Sequence, residues 1–166
     1  MIAPPLFLFI LIELFFVSFG DIKFRKIKNY WSILNIIGSG FLFILFPDMY
    51  PFGIESFQFT VVFIIVGFAL FMMKIMGGGD SKYLASFFLL VPLGLQEQVF
   101  YYLLIWTIVI GIFIFIKNVI HNREQLFQSI KNIDTNGVKS CFGSKFAYAP
   151  VILITWVYTG WELYLN

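Results

Sequence analysis

Two aspartates stand where a very apolar chain should least tolerate them. Asp80 follows three glycines in Gly77-Gly78-Gly79-Asp80-Ser81-Lys82, and Asp21 follows the first apolar segment. A carboxylate at the edge of hydrocarbon is costly and marks a functional site by default. Glycines before it give the backbone freedom and let another chain approach closely. Two carboxylates within hydrogen-bonding reach do not both ionise easily, so such a pair holds one proton near working pH. The ionised member takes a proton from water while the protonated member polarises a scissile carbonyl. That chemistry hydrolyses a peptide without a metal or a covalent intermediate.

The elements that must position this pair follow from composition. The chain has 166 residues, of which 60% are hydrophobic and 12% charged. Soluble domains carry about 25% charged residues, so the expectation is one all-α, polytopic membrane domain filling residues 1–166. Six segments approach the ~20 apolar residues that a span needs: 4–20, 30–46, 57–76, 81–96, 99–117 and 146–165. The first is read as a span and not as a cleaved leader, because no basic residue precedes it. Pro92 interrupts the fourth, and Ala149-Pro150 is read as a kink in the sixth.

Charge fixes the orientation. Lys23, Arg25, Lys26 and Lys28 fill the first connection, and Lys74 and Lys82 flank the third. Lys117, Arg123, Lys131, Lys139 and Lys145 belong to the fifth, while the second and fourth hold only Asp48, Glu55 and Glu97. All eleven basic residues thus share one side. Six spans then put both termini outside and Asp21 and Asp80 together at the cytoplasmic face of the membrane. The fifth connection, 117–145, repeats Val119, Ile120, Leu126, Phe127, Ile130 and Ile133 among polar residues. This pattern predicts an amphipathic surface helix, ended by Asn136-Gly137.

Other residues are read as structural. Glu13 lies about 12 Å deeper than Asp21 at ~1.5 Å of rise per residue, either as an acid that supports the pair from behind or, the favoured reading, as a group paired inside the bundle. His121 is a solvated histidine and Cys141 an inert thiol. One histidine and one cysteine supply no metal cluster, so no metal and no cofactor are expected. A net charge of +2 is too small to suggest nucleic-acid binding.

The chain resembles the type IV prepilin peptidases, with their short preflagellin-processing relatives. That family carries an aspartate after its first helix, a basic stretch and an Ile-Pro-Asn turn, then Gly-x-Gly-Asp-x-Lys before its fourth helix. Here the first part reads Asp21-Ile22-Lys23-Phe24-Arg25-Lys26-Ile27-Lys28-Asn29, and the second reads Gly77-Gly78-Gly79-Asp80-Ser81-Lys82. Lys28 departs from the usual proline. The resemblance covers nearly the whole chain and implies an aspartic endopeptidase, with Asp21 and Asp80 as the catalytic pair. Gly77, Gly78, Gly79, Lys82 and Asn29 belong to the motif, the glycines as a flexible connection. The implied substrate is a prepilin or pseudopilin, with a short basic leader before an apolar helix lying in the lipid bilayer. The extended loop with paired cysteines of the larger, bifunctional members is missing, which argues against N-methyltransfer.

Two other readings compete. A presenilin-like or signal-peptide-peptidase-like intramembrane protease shares the Gly-x-Gly-Asp chemistry, and a non-catalytic membrane assembly subunit needs neither aspartate ionisable. Helix ends also predict roles within the pair. Asp80 at the N-terminus of a helix is expected to be the ionised base, and Asp21 at the C-terminus of another to be the acid.

The orientation is directly measurable. Reporter fusions near Arg25, Ser81 and Asn132 should read as cytoplasmic, and those near Tyr50 and Gln96 as external. An external signal at position 81 would overturn both the span count and the shared face.

Overall fold

A computed structural model of the chain describes residues 3–73, 76–131 and 147–165. All of the regular structure among them is helical. The helices are α1 (Pro4–Phe24), α2 (Asn29–Leu45), α3 (Ile54–Met72), α4 (Gly78–Leu90), α5 (Leu93–His121), α6 (Arg123–Lys131) and α7 (Ala149–Leu165). α1, α3 and α5 are long and apolar enough to cross a membrane, and α2 is a shorter apolar helix.

The pattern of burial is that of a bundle with an apolar outside. α2 turns Ser32, Asn35, Ser39 and Leu42 inward, and Ile33, Ile36, Ile37, Phe41 and Ile44 outward. α3 likewise buries Ser56, Thr60 and Gly67. Small and polar residues between helices allow close packing where lipid rather than water lies outside.

α4 forms the core. From Tyr83 to Leu90 every residue is buried, with Tyr83, Phe87 and Phe88 fully so. A helix apolar on all sides must be enclosed by others, and α2 and α3 pack against it. Gly67 permits this. A Cβ there would lie 2.6 Å from Ser81 Cβ, and the Ser81 hydroxyl donates to the Gly67 carbonyl at 3.0 Å. The remaining long helices form a second group, in which α7 packs between α1 and α5. Phe7 stacks on Trp156 at 5.0 Å, and the indole Nε1 donates to the Phe7 carbonyl at 3.2 Å.

A seam therefore divides α2, α3 and α4 from α1, α7 and α5. Rings bridge its middle: Phe87 meets Trp156 edge-on at 5.8 Å, and Phe59 of α3 lies 5.1 Å from Phe100 of α5. One end of the seam is closed at Val91-Pro92. Proline fixes its own backbone and excludes the residue before it from helical geometry, and Val91 is extended, with φ −81° and ψ 124°. The predicted fourth span over 81–96 is therefore two pieces. α4 stops at Leu90, and α5 starts at Leu93, six residues ahead of the expected 99. The carbonyls freed by this break find donors. Tyr50 Oη donates to Leu90 at 2.8 Å, while Gln96 Nε2 reaches the Phe88 and Val91 carbonyls at 3.1 and 3.2 Å. Burial pushes the Tyr50 phenol above its ordinary range, which keeps it a donor.

Two further expectations change. Pro150 occupies the second position of α7 and so starts that helix instead of kinking it. Val119 and Ile120 belong to α5, and the predicted surface helix begins only at Arg123, with Phe127 exposed. Ile133 and its proposed terminator Asn136-Gly137 lie outside the described residues.

Gly67→Ala should force α3 and α4 apart and lower unfolding stability in mixed detergent by about 1–3 kcal/mol. Gly111→Ala, whose Cβ meets no atom within 4 Å, should leave stability unchanged or raise it by up to about 1 kcal/mol. Equal behaviour of the two variants would refute the close contact.

Candidate active site

Asp21 lies in the last turn of α1, three residues before its end at Phe24. Arg25 terminates the helix in a left-handed conformation, φ 52° and ψ 35°, and donates its amide to the Asp21 carbonyl at 2.8 Å. The Asp21 side chain is 2% exposed, and its Oδ2 accepts the Ala149 amide at 3.0 Å. Tyr148 immediately precedes this amide. Asp21 thus caps the start of α7, accepting an N–H group that has no partner within that helix. Tyr148 is held in turn by its hydroxyl, 3.0 Å from Thr107 Oγ1 on α5.

Asp80 is the third residue of α4 and half-buried. Its Oδ2 accepts the Gly77 amide at 3.2 Å, while the Gly77 carbonyl accepts the Asp80 and Ser81 amides at 3.1 and 3.2 Å. This is the acidic half of a capping box, with glycine in place of the usual hydroxyl residue.

The glycines have a more specific role than flexibility. Among the described residues no glycine has a positive φ. A Cβ on Gly79 would lie 2.4 Å from the Ile27 carbonyl oxygen, and one on Gly77 would lie 2.8 Å from Asp80 Oδ2. Gly79 therefore lets the first turn of α4 dock on the α1–α2 connection, six residues beyond Asp21. A Cβ on Gly78 would make only ordinary contact with the Phe71 ring. The run belongs to the N-cap and first turn of α4, not to a loose linker.

These contacts gather the C-terminal end of α1 and the N-terminal ends of α4 and α7 at one end of the bundle. Asp21 and Asp80 both belong to that end, on opposite sides of the seam. Lys82 and Asn29 are exposed, Asn29 as the first residue of α2. Cys141 lies outside the described residues, and His121 is exposed at the end of α5.

The expected division of labour between the aspartates loses its basis. Asp21 is at the C-terminus of α1, but it also faces the N-terminus of α7. Both carboxylates accept backbone amides at helix starts, so helix ends do not single out either as the acid. Sequence offers no sign of the α7 partner, because Ala149 is 128 residues from Asp21.

A second polar group, deeper in the bundle, joins Glu13 to two residues that the sequence did not single out. Glu13 is 5% exposed, and its Oε1 accepts the Tyr83 hydroxyl at 3.1 Å. With its amide turned to donate, Asn35 places its nitrogen 2.7 Å from Glu13 Oε1 and 3.1 Å from the Trp31 carbonyl. The available signals were polar residues inside apolar spans, and a tyrosine one turn beyond Asp80. Among the described residues, no three His, Cys, Asp or Glu side chains group so as to hold a metal ion.

No family model, curated protein or solved structure matches this chain.

Capping and charge at Asp21 can be separated. Asp21→Ala leaves the Ala149 amide buried without its acceptor, and should cost about 1–3 kcal/mol of unfolding free energy. Asp21→Asn keeps an acceptor oxygen there and should cost less than about 1 kcal/mol. An alanine variant as stable as the parent would remove the capping role.

Proposed function

We propose that this protein is a membrane aspartyl endopeptidase that removes the leader from type IV prepilin-like proteins at the cytoplasmic face of the inner membrane. The reading includes six membrane crossings with both termini outside, and Asp21 and Asp80 as the pair that activates water. The observation that carries it is the placement of Asp21 and Asp80 at one end of an apolar helical bundle. They are presented there by α1 and α4, with Gly79 of α4 set against Ile27 of the α1–α2 connection.

The chemistry is that of two carboxyls sharing one proton. The ionised carboxylate accepts a proton from water as the water oxygen bonds to the scissile carbonyl carbon. The protonated carboxyl gives its proton to the carbonyl oxygen. Collapse of the tetrahedral intermediate breaks the C–N bond, and a proton passes to the leaving amine. A substrate helix fits beside this protein in the bilayer because the outer faces of α1, α2 and α3 are apolar. Its basic leader would then reach the end that holds the two acids.

One observation favours a non-catalytic reading. Both aspartates have hydrogen-bonding work in the fold, Asp21 on Ala149 and Asp80 on Gly77. Asparagine separates the two readings, because its carbonyl oxygen can still accept those amides but cannot share the proton.

Asp21→Asn and Asp80→Asn should each cut leader removal by about a thousandfold or more while the protein stays folded in the membrane. The assay is co-expression with a prepilin from the same genome, with leader loss read as a mass shift. Strong residual cleavage in either folded variant would sink the proposed pair. A cut inside the substrate's apolar helix would favour the presenilin-like alternative.

A further inference from the structure

Glu13 is the one buried carboxyl among the described residues that the proposed hydrolysis does not use, and its partners lie across the seam. It shares the buried stripe of α1 with Asp21. Tyr83, whose hydroxyl it accepts at 3.1 Å, follows Asp80 by three residues on α4. Asn35, 2.7 Å away in its donating orientation, belongs to α2. Tyr83 is fully buried and Asn35 is 1% exposed. Three helices from both sides of the seam therefore converge on one carboxyl.

The backbones explain why this matters. α1 packs chiefly on α7, whereas α4 packs on α2 and α3. The register of α1 against α4 therefore depends on what reaches across between them. Near the aspartates, this includes the close approach of Gly79 to the Ile27 carbonyl and the Tyr83–Glu13 hydrogen bond. The first touches only the α1–α2 connection, and the second fastens α1 itself. Apolar packing slides at little cost, but a hydrogen bond between buried groups has one length and one direction. A carboxyl in this place costs several kcal/mol to bury and is held only by good donors. A leucine would pack there without that cost. What glutamate adds is a fixed point.

We propose that Glu13 is a positioning residue, which sets the spacing of α1 and α4 by accepting the Tyr83 and Asn35 hydrogen bonds and thereby holds Asp21 and Asp80 in register. The catalytic part of this rests on the reading of Asp21 and Asp80 as the reacting pair. The spacing part does not, and the experiment keeps them apart.

Nitroxide labels at Lys23 and Lys82, both exposed, report the spacing of the two helix ends in a Cys141→Ser background, in bilayers and without any substrate. Glu13→Gln retains an acceptor for Tyr83 and should keep the parent distance distribution and most of the activity. Tyr83→Phe deletes only the donor and should shift or broaden the distribution. It should also lower kcat for leader removal by about 100-fold, since small misplacements of reacting groups cost that much. KM should stay within about threefold of the parent. Glu13→Ala should behave alike, and where it fails to fold, Tyr83→Phe alone decides the question. An unchanged distribution in folded Tyr83→Phe overturns the proposal. So does a changed distribution with unchanged kcat. A parent protein that cleaves no prepilin defeats the protease reading alone, because the distance measurement still decides whether Glu13 sets the spacing.

Discussion

A carboxyl inside an apolar bundle has to be met by hydrogen-bond donors, and the rest of this structure is arranged around that requirement. Left unmet, such a group costs several kcal/mol, a large share of the stability of any domain. The chain meets it from a different segment each time. Asp21 on α1 is met by the start of α7, Glu13 by α2 and α4, and Asp80 by the residue that opens its own helix. At Asp21 and Glu13 the donors fix the position of one helix relative to another. The same groups that make the chain unusual for a lipid-facing protein are therefore the ones that hold its helices in order.

The seam between the two groups of helices shows the same logic from end to end. Near Asp21 and Asp80 it is polar and directional. In its middle it is aromatic, where Phe87 meets Trp156 and Phe59 meets Phe100. At the far end Gln96 of α5 gathers carbonyls from Phe88, Val91 and Ser56. Rings tolerate small slides, whereas the two polar ends do not. Relative motion of the groups is thus resisted at the ends and eased in between. A site whose halves lie on opposite sides of such a seam inherits its precision from contacts several turns away.

Much of the candidate site is legible in the chain because it is written locally. A glycine run before an aspartate, and a second aspartate before a basic stretch, are visible within a dozen residues. The break at Pro92 is visible too, although a proline alone does not say that α5 begins as early as Leu93. What could not be read is long-range. Nothing near Asp21 names Ala149 as its partner, and nothing near Glu13 names Tyr83 or Asn35. The glycines show a subtler limit. In the chain they read equally as conformational freedom and as room for close approach, and the structure uses Gly79 for the second, against the Ile27 carbonyl. Sequence cannot distinguish those two uses of glycine.

The lengths of the helices carry a consequence for the access of water. α5 has 29 residues and α4 only 13, which at ~1.5 Å per residue is about 44 Å against about 20 Å. Hydrocarbon is about 30 Å thick, so α4 falls about 10 Å short. Its far end is tied to the α2–α3 connection, where the Leu93 amide donates to the Met49 carbonyl and Tyr50 to Leu90. The deficit therefore appears at the near end, beneath Asp80. From Tyr83 to Leu90 α4 is buried among its neighbours and presents no face to lipid, so the bilayer has no mismatch to answer there. Placed in a membrane, the shortfall would instead leave a recess between the longer helices, through which water could reach the two aspartates.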